Sequence, residues 1–139
     1  MNIVLNEKRI NRFLINEDIK YHDFGWLWTS LDFFEDLMLI NTSTEDSFNI
    51  RKELFFNIIK YLMMKNELKI ANKSKLSDQY LSENYVDLYH IFPKSEEEAN
   101  KCTRIGGVNI WLILEEYCPF WPVWVDIDET GNEKLWWAE

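Results

Sequence analysis

The C-terminal part of the chain carries the pattern that most constrains the fold. Apolar residues alternate with aromatic or acidic ones along residues 123–128, VWVDID, which is the period-two pattern of a half-buried β-strand. A short polar segment follows, and it contains Gly131. A three-residue loop, Glu129–Gly131, would end at a position of positive φ, which glycine adopts without steric cost. The sequence therefore predicts a hairpin whose second strand covers Glu133–Trp137.

The position of Gly131 also predicts which residues of the two strands face each other. On one face the expected pairs are Ile127 with Glu133, Val125 with Leu135 and Val123 with Trp137. On the other face they are Trp124 with Trp136 and Asp126 with Lys134. We expect the face with Val123, Val125, Leu135 and Trp137 to attach the sheet to the rest of the protein.

The remaining pattern is mostly helical. Apolar residues recur at helical spacing in segments that predict helices, at about 6–19, 26–40, 45–65 and 95–104, with helical turns within 79–92. Thr42-Ser43-Thr44-Glu45 and Ser95-Glu96-Glu97-Glu98 read as capping boxes for two of them. Residues 68–71 favour a third strand, because an isolated hairpin is marginal in water. Residues 106–117 fit a strand or a helix, and we favour the helix.

These elements predict one α+β domain over residues 1–139, a mostly helical body with a small antiparallel sheet that contains the C-terminal hairpin. A chain of 139 residues with 47% hydrophobic content can bury a core without disulfides or metals. Cys102 and Cys118 lie far apart in sequence and are expected to be reduced thiols. The N-terminus lacks the pattern of a secretion signal, and no apolar run is long enough to cross a bilayer. We expect a cytoplasmic protein.

The charge disfavours two classes of partner. The formal net charge is -9, which opposes binding to nucleic acid or to an anionic membrane and favours a basic partner. From Gly106 onward Lys134 is the only base. The acids of that part of the chain are Glu115, Glu116, Asp126, Asp128, Glu129, Glu133 and Glu139. The negative charge is therefore concentrated in the last quarter of the sequence.

The sequence contains no recognisable catalytic or metal-binding motif. The two histidines, His22 and His90, are far apart, and there is no nucleophile elbow, phosphate-binding loop or zinc motif. Paired carboxylates could perform acid–base chemistry without a motif, yet we expect no enzyme activity and no cofactor. Asp126-x-Asp128-x-Thr130-Gly131 matches half of a calcium loop, but Trp137 occupies the position of the bidentate glutamate. We therefore expect no metal site.

The predicted functional surface combines tryptophans and carboxylates around the hairpin. Aromatic residues ringed by charge suit a protein-binding surface, and the candidates are Trp124, Asp126, Asp128, Glu129, Glu133 and Trp136. An alternative acidic stripe is formed by Asp32, Glu35 and Asp36. The opposing interpretation is that tryptophans belong to the core and acids to a solvated surface. On that basis Trp26, Trp28, Trp111 and Trp137 are assigned to the core.

Several short elements together resemble a known family. They are Phe92-Pro93-Lys94-Ser95 before an acidic helix, Cys118-Pro119, Val123-Trp124-Val125, Gly131 and Trp136-Trp137-Ala138. Over roughly residue 91 onward the chain resembles small bacterial proteins encoded beside contact-dependent growth inhibition toxins, several of which are immunity proteins. The resemblance implies a cytosolic protein that binds and blocks a sibling toxin domain, often a basic nuclease. The alternative is a small-molecule-binding or regulatory module whose aromatic residues line a pocket.

Overall fold

The computed structural model describes residues 6–34, 45–73, 82–104 and 106–138. The helices are α1 (Glu7–Asn16), α2 (Phe24–Ser30), α3 (Glu45–Met64), α4 (Ser82–Ile91), α5 (Glu96–Thr103) and α6 (Gly107–Trp111), with a 3₁₀ turn at Leu31–Phe33. The strands are β1 (Leu68–Asn72), β2 (Phe120–Ile127) and β3 (Glu133–Trp137), in the order β1-β2-β3. Both pairings are antiparallel. The predicted α+β class, with a helical body and a small C-terminal sheet, is confirmed.

Helix α3 is the central element of the body. Its buried positions recur at helical spacing, so that Leu54, Ile58 and Leu62 are at most 2% exposed. Helices α3 and α4 both contact strand β1. Phe56 of α3 packs edge-on against Tyr85 of α4, with ring centroids 5.7 Å apart. The helical body therefore approaches the sheet from the side of its first strand.

The helix predicted over 26–40 differs from the observed element in its described part. Helix α2 ends at Ser30, and Phe34 has extended backbone with ψ 126°. Leu31 and Phe34 are nevertheless both buried, and Phe34 packs edge-on against Phe13 of α1 at 5.3 Å. The turn buries the same apolar positions that a continued helix would have presented. Residues 35–40 and the predicted capping residues Thr42–Thr44 lie outside the described residues.

Helix starts elsewhere follow the predicted capping chemistry in part. The Ser95 side chain accepts a hydrogen bond from the Glu98 amide at 3.0 Å, which confirms Ser95 as the N-cap of α5. The Glu98 carboxylate accepts from the Lys94 amide at 3.4 Å rather than completing the box at Ser95.

The ambiguous segment 106–117 contains helix α6 and no strand. The helical interpretation is confirmed for Gly107–Trp111 only, and residues 112–117, where a continued helix was expected, form turns.

The hairpin has the predicted register. Ile127 faces Glu133, Val125 faces Leu135, and Val123 faces Trp137, while Trp124 and Asp126 face Trp136 and Lys134. Gly131 has φ +84°, and the Asp128 amide donates to the Asn132 carbonyl at 2.9 Å to close the loop. Turn chemistry and the apolar pattern thus agree on one register. The predicted third strand is also present as β1.

The prediction of which sheet face meets the helical body is wrong. The core includes Leu68, Ile70, Phe120 and Trp124, all on one face, whereas Val123 and Val125 are buried on the other face outside this core. Leu135 and Trp137, assigned to the attachment, are 37% and 44% exposed. Both faces of β2 are apolar, so the hairpin pattern alone is compatible with either. Strand β1 determines which face meets the helical body, because it places Leu68 and Ile70 on the same face as Trp124.

The tryptophans divide differently from the prediction. Trp28 and Trp111 belong to the core, where Phe92 packs against both rings at 5.3 and 5.8 Å. Trp26 and Trp137 were also assigned to the core, but each is 44% exposed.

Among the described segments, no helix is both long and apolar enough to span a membrane. Cys102 is exposed, Cys118 is buried, and both are free thiols.

Candidate partner-binding surface

The connection between α1 and α2, residues 17–23, lies across the C-terminal hairpin. The Trp124 indole donates to the His22 carbonyl at 2.9 Å, and Lys20 forms an ion pair with Glu67 at 2.8 Å. The Tyr21 hydroxyl donates to the Asp126 carboxylate, with oxygen–oxygen distances of 2.8 and 2.9 Å. This connection therefore covers Trp124. It also forms one edge of an exposed surface that extends onto the hairpin.

Tyr21 is held in an uncommon backbone conformation. Its φ is +73°, a region that bulky side chains populate rarely because Cβ approaches the following carbonyl group. The Tyr21 ring lies edge-on to Trp124 at 6.4 Å and to Trp136 at 6.2 Å. The hydrogen bonds to Asp126 and these ring contacts offset the backbone cost. Tyr21 thus links the α1–α2 connection to both strands of the hairpin.

Two neighbouring pairs of aromatic side chains reach the solvent here. Tyr21 is 49% exposed, Trp26 is 44% exposed, and Trp136 is 42% exposed. His22 stacks on Trp26 with ring centroids 4.8 Å apart, and the preceding residue, Tyr21, contacts Trp136. The Trp26 indole donates to the Glu17 carbonyl at 3.1 Å, which fixes the ring. Such fixed, half-exposed rings form contact area that loses little conformational entropy on binding.

Carboxylates accompany these rings. Asp18 has an 84% exposed side chain and lies 3.4 Å from the His22 ring nitrogen. The Asp126 carboxylate contacts Tyr21, and its hydrogen bond to the hydroxyl raises the pKa of Tyr21 above the usual range. We call Asp18, Tyr21, Trp26, Asp126 and Trp136 the acidic aromatic surface. Lys134, whose amine lies 4.5 Å from the Trp136 ring centroid, is a cation beside it.

The structure separates the residues predicted to form one patch. Trp136 and Asp126 do lie together on the acidic aromatic surface. Trp124 is 2% exposed and belongs to the core, so its assignment to a partner-facing surface is wrong. A side chain as large as indole at the centre of the middle strand is covered by the connection 17–23. Its N–H is satisfied by the His22 carbonyl.

The acids around the turn have separate roles. Asp128 accepts from the Thr130 hydroxyl at 2.7 Å and from the Asn132 amide at 2.9 Å, and these bonds lower its pKa. Glu129 is exposed at the loop tip. Glu133 lies on the opposite sheet face, where Asn66 and Lys69 bind it at 2.9 and 3.0 Å and lower its pKa. Asp128 therefore shapes the loop, and the charge of Glu133 is already paired.

The alternative acidic stripe is described only in part. Asp32 forms an ion pair with Arg51 at 2.5 Å, so its charge is offset within the protein. Glu35 and Asp36 lie outside the described residues. The Arg51 guanidinium also lies over the Trp28 ring, 4.7 Å from its centroid. In the described part of this region, Asp32 therefore stabilises the body through a buried arginine.

The sequence did not predict Tyr21, His22 and Trp26 as surface residues. Residues 21–25 interrupt two helical patterns, and an irregular connection carries no periodicity that would assign a side chain to a face. A usable signal was present in Asp23, whose carboxylate caps α2 by accepting from the Trp26 amide at 2.8 Å. That cap places Trp26 in the first turn of a helix whose buried residues are elsewhere, including Leu27 and Trp28.

Two hollows bear on the possibility of a small-molecule site. A cavity of about 60 Å³ lies between α1 and the Phe33–Phe34 turn and is lined partly by Arg9, Phe13 and Phe34. A more open depression of about 460 Å³ lies between α3 and α4, lined by Lys60, Met63, Met64, Glu83, Tyr85 and Val86. Pockets for organic ligands typically measure about 300–1,000 Å³, so only the second reaches that size. Over residues 6–34, 45–73, 82–104 and 106–138, no three carboxylates, histidines or cysteines cluster as metal ligands.

Comparison with known proteins relates the fold to one solved structure. No protein-family model and no curated protein sequence matches the chain. The structure is similar to that of an uncharacterized protein conserved in bacteria, from Neisseria meningitidis, with a TM-score of 0.59 and 24% sequence identity. The similarity covers 91% of this chain and 84% of the other. At this level of identity the similarity shows a shared fold.

Proposed function

We propose that this chain is a non-catalytic immunity protein that binds and neutralises a basic protein, the cognate toxin domain of a contact-dependent inhibition system. The observation that carries the proposal is the acidic aromatic surface, where two neighbouring pairs of rings with half-exposed members lie beside Asp126 and Asp18. The family resemblance of the C-terminal half supplies the class of partner. No cofactor or metal takes part in this function, which is exerted in the cytoplasm.

The rings would contribute most of the affinity. Tryptophan and tyrosine dominate the energetics of many protein interfaces, because each buries a large apolar area and retains a polar group. Tyr21 and Trp26 are already fixed by hydrogen bonds to Asp126 and to the Glu17 carbonyl. Binding would therefore order few additional side chains, which lowers its entropic cost.

The charge would speed association and determine the kind of partner. A net charge of -9 attracts a basic protein from a distance, and the rate gained in this way falls as salt screens the field. A nuclease must present cations to phosphates, and carboxylates such as Asp18 and Asp126 can occupy the same groove. This is the physical reason for favouring a nuclease toxin over an uncharged partner.

The alternative function, a small-molecule-binding or regulatory module, has less support. It requires a concave apolar cavity, and the cavity beside α1 is several-fold smaller than a typical ligand site of about 300 Å³ or more. The depression of about 460 Å³ between α3 and α4 is large enough, but it is more open to solvent than an enclosed ligand site. The acidic aromatic surface also places charge and rings on the outside of the fold, where they suit a macromolecule.

A charge-reversal pair tests the proposal. Binding of the toxin domain encoded beside this gene is measured by stopped-flow kinetics for the wild type and for Asp18→Lys/Asp126→Lys. The matched control, Glu97→Lys/Glu116→Lys, makes the same change in net charge at exposed acids outside the acidic aromatic surface. We expect the association rate to fall about tenfold or more for the first pair and much less for the control. Circular dichroism confirms that each variant is folded.

A second variant tests the aromatic part. Trp26→Ala removes a half-exposed ring and should raise the dissociation rate about tenfold to thirtyfold, which corresponds to about 1.4–2 kcal/mol of binding free energy. The association rate should change little, because the charge is unaltered. Wild-type kinetics for both Trp26→Ala and the Asp18→Lys/Asp126→Lys pair would overturn the proposed binding surface.

A further inference from the structure

Strand β3 leaves one edge of the sheet open. The hydrogen bonds from Asp128 to Asn132 and from Ala138 to Pro122 show that the even-numbered residues of β3 bond towards β2. Because bonding direction alternates along an antiparallel strand, the amides and carbonyls of Glu133, Leu135 and Trp137 point away from the sheet. None of these groups has a hydrogen-bond partner among the described residues. All of β3 is exposed.

The opposite edge of the sheet is covered. On the outer side of β1, the Asn84 side chain of α4 donates to the Ile70 carbonyl at 2.8 Å, and Asn84 is only 3% exposed. Proteins usually protect an edge strand with proline, with charge or with a covering element, because an open edge accepts another strand. The fold protects β1 by this means and leaves β3 accessible.

The side chains of the open edge are largely apolar and locally close to neutral. Leu135, Trp136 and Trp137 are 37%, 42% and 44% exposed. The charge of Glu133 is paired with Lys69 at 3.0 Å, and Lys134 lies over the Trp136 ring. A basic partner would find no unpaired carboxylate on β3 itself, unlike on the acidic aromatic surface. A near-neutral, apolar strand instead suits a copy of itself.

We propose that β3 pairs antiparallel with β3 of a second copy of this chain, with Leu135 opposite Leu135 of the partner subunit. Outward-pointing groups must pair with outward-pointing groups, so odd-numbered residues face odd-numbered ones across the junction. Centring the pairing on Leu135 places Glu133 opposite the partner's Trp137 and Lys134 opposite the partner's Trp136. The strands then overlap along their whole length, and no like charges face each other.

Other registers are worse. Centring the pairing on Lys134 would oppose two lysines, which is destabilising. Centring it on Trp136 would place Glu133 opposite position 139 of the second copy, beyond the end of β3, and shorten the junction. The two-fold arrangement around Leu135 is the isologous geometry that homodimers favour. The sheets of the two copies would become one continuous sheet.

Sedimentation equilibrium of the full chain, from micromolar to hundreds of micromolar, measures the self-association. We expect a mass that approaches twice the 16.9 kDa of one chain. Leu135→Lys and Leu135→Glu each place like charges across the two-fold axis, so each should weaken association about tenfold or more. Mixing the two variants should restore the dimer as a heterodimer. Leu135 is exposed and lies outside the acidic aromatic surface, so both variants should fold and bind a basic partner.

Two further variants separate strand pairing from nonspecific apolar contact. Leu135→Pro removes an amide that points away from β2, and should give a folded monomer. Ile127→Lys alters a 56% exposed apolar residue of β2 and should leave the dimer intact. A 16.9 kDa species at every concentration would overturn the inference. A dimer that persists in Leu135→Lys, or variants that do not recombine on mixing, would overturn the proposed register.

Discussion

Tyr21 shows how one side chain can stabilise an irregular connection. Its φ of +73° is unfavourable for tyrosine, yet its hydroxyl donates to Asp126 and its ring contacts both Trp124 and Trp136. These contacts all cross from the α1–α2 connection to the hairpin. They hold the covering segment over Trp124, and they also keep Tyr21 fixed at the surface.

Removal of the Tyr21 hydroxyl should have a small effect that depends on pH. Tyr21→Phe keeps the ring and loses the hydrogen bond, which in this exposed position is expected to contribute about 1 kcal/mol to the free energy of unfolding. The pKa of Tyr21 is raised above 10.0 in the folded protein, mainly by the bond to Asp126. A group whose pKa is higher in the folded than in the unfolded state contributes fully to the free energy of unfolding at pH values below its unfolded pKa. That contribution is lost as the pH rises through its folded pKa.

The stability difference between wild type and Tyr21→Phe should therefore be constant near neutral pH and narrow above about pH 10. Urea unfolding at a series of pH values measures it. Tyr85 and Tyr89 also have raised pKa values, but both variants retain them, so their contributions cancel in the difference. A difference that does not change through the alkaline range would show that the Tyr21 hydroxyl is not held by a carboxylate.

At the scale of elements, the hairpin was predictable and its orientation was not. The register follows from two local signals, the alternation along residues 123–128 and the glycine at position 131. The structure has the predicted register and a positive φ at Gly131. The face that meets the body depends on β1 and on the connection 17–23, which are distant in sequence. Val123 and Trp124 are both buried, so local hydrophobicity could not distinguish the two faces.

The acidic aromatic surface was predictable to a similar extent. Asp126 and Trp136 follow from the hairpin register, because their face is fixed by the pattern. Tyr21 lies in the connection 17–23 and Trp26 in the first turn of α2, and their positions depend on contacts with Asp126 and with the Glu17 carbonyl. A capping aspartate can indicate where such a helix starts, but the sequence does not show which distant strand the connection will cover.

Helix α6 depends on a glycine and on an acid from a neighbouring helix. Gly107 has φ +67°, and a Cβ there would lie 2.9 Å from the Glu96 carboxylate. That carboxylate accepts from the Val108 amide at 3.1 Å and from the Trp28 indole at 3.2 Å. Glu96 thereby connects α2, α5 and the start of α6. The sequence pattern predicts for Glu96 only a capping-box position at the start of α5.

Two glycine substitutions separate backbone strain from this contact. Gly131→Ala adds a Cβ with no atom within 4 Å. It should therefore lower the free energy of unfolding only by the cost of holding alanine in a left-handed backbone conformation, about 1 kcal/mol. Gly107→Ala must also displace Glu96 and weaken its two hydrogen bonds, which should bring the loss to about 2–3 kcal/mol. Urea unfolding measures both. In a Glu96→Ala background the excess cost of Gly107→Ala should disappear, and an excess that persists would implicate other neighbours.

At the scale of the whole molecule, the two cysteines report different events. Cys102 on α5 is exposed, whereas Cys118 is fully buried in the core with its thiol 3.4 Å from the Phe120 carbonyl. Burial raises the pKa of Cys118 to about 12, which keeps its thiol protonated and unreactive at neutral pH. A thiol reagent should therefore modify Cys102 rapidly and Cys118 only when the core opens.

Cysteine labelling followed by mass spectrometry should show two phases, and Cys102→Ser should remove the fast one. Where reclosing is faster than labelling, the slow rate follows the equilibrium population of the open state. A loss of about 2 kcal/mol in Gly107→Ala should then speed labelling of Cys118 by about thirtyfold, since each 1.4 kcal/mol corresponds to about a factor of ten. Acceleration by that factor would show that α6, the sheet and the core around Cys118 unfold together. An unchanged rate would mean that Cys118 becomes accessible through a local opening at the start of β2, independent of α6.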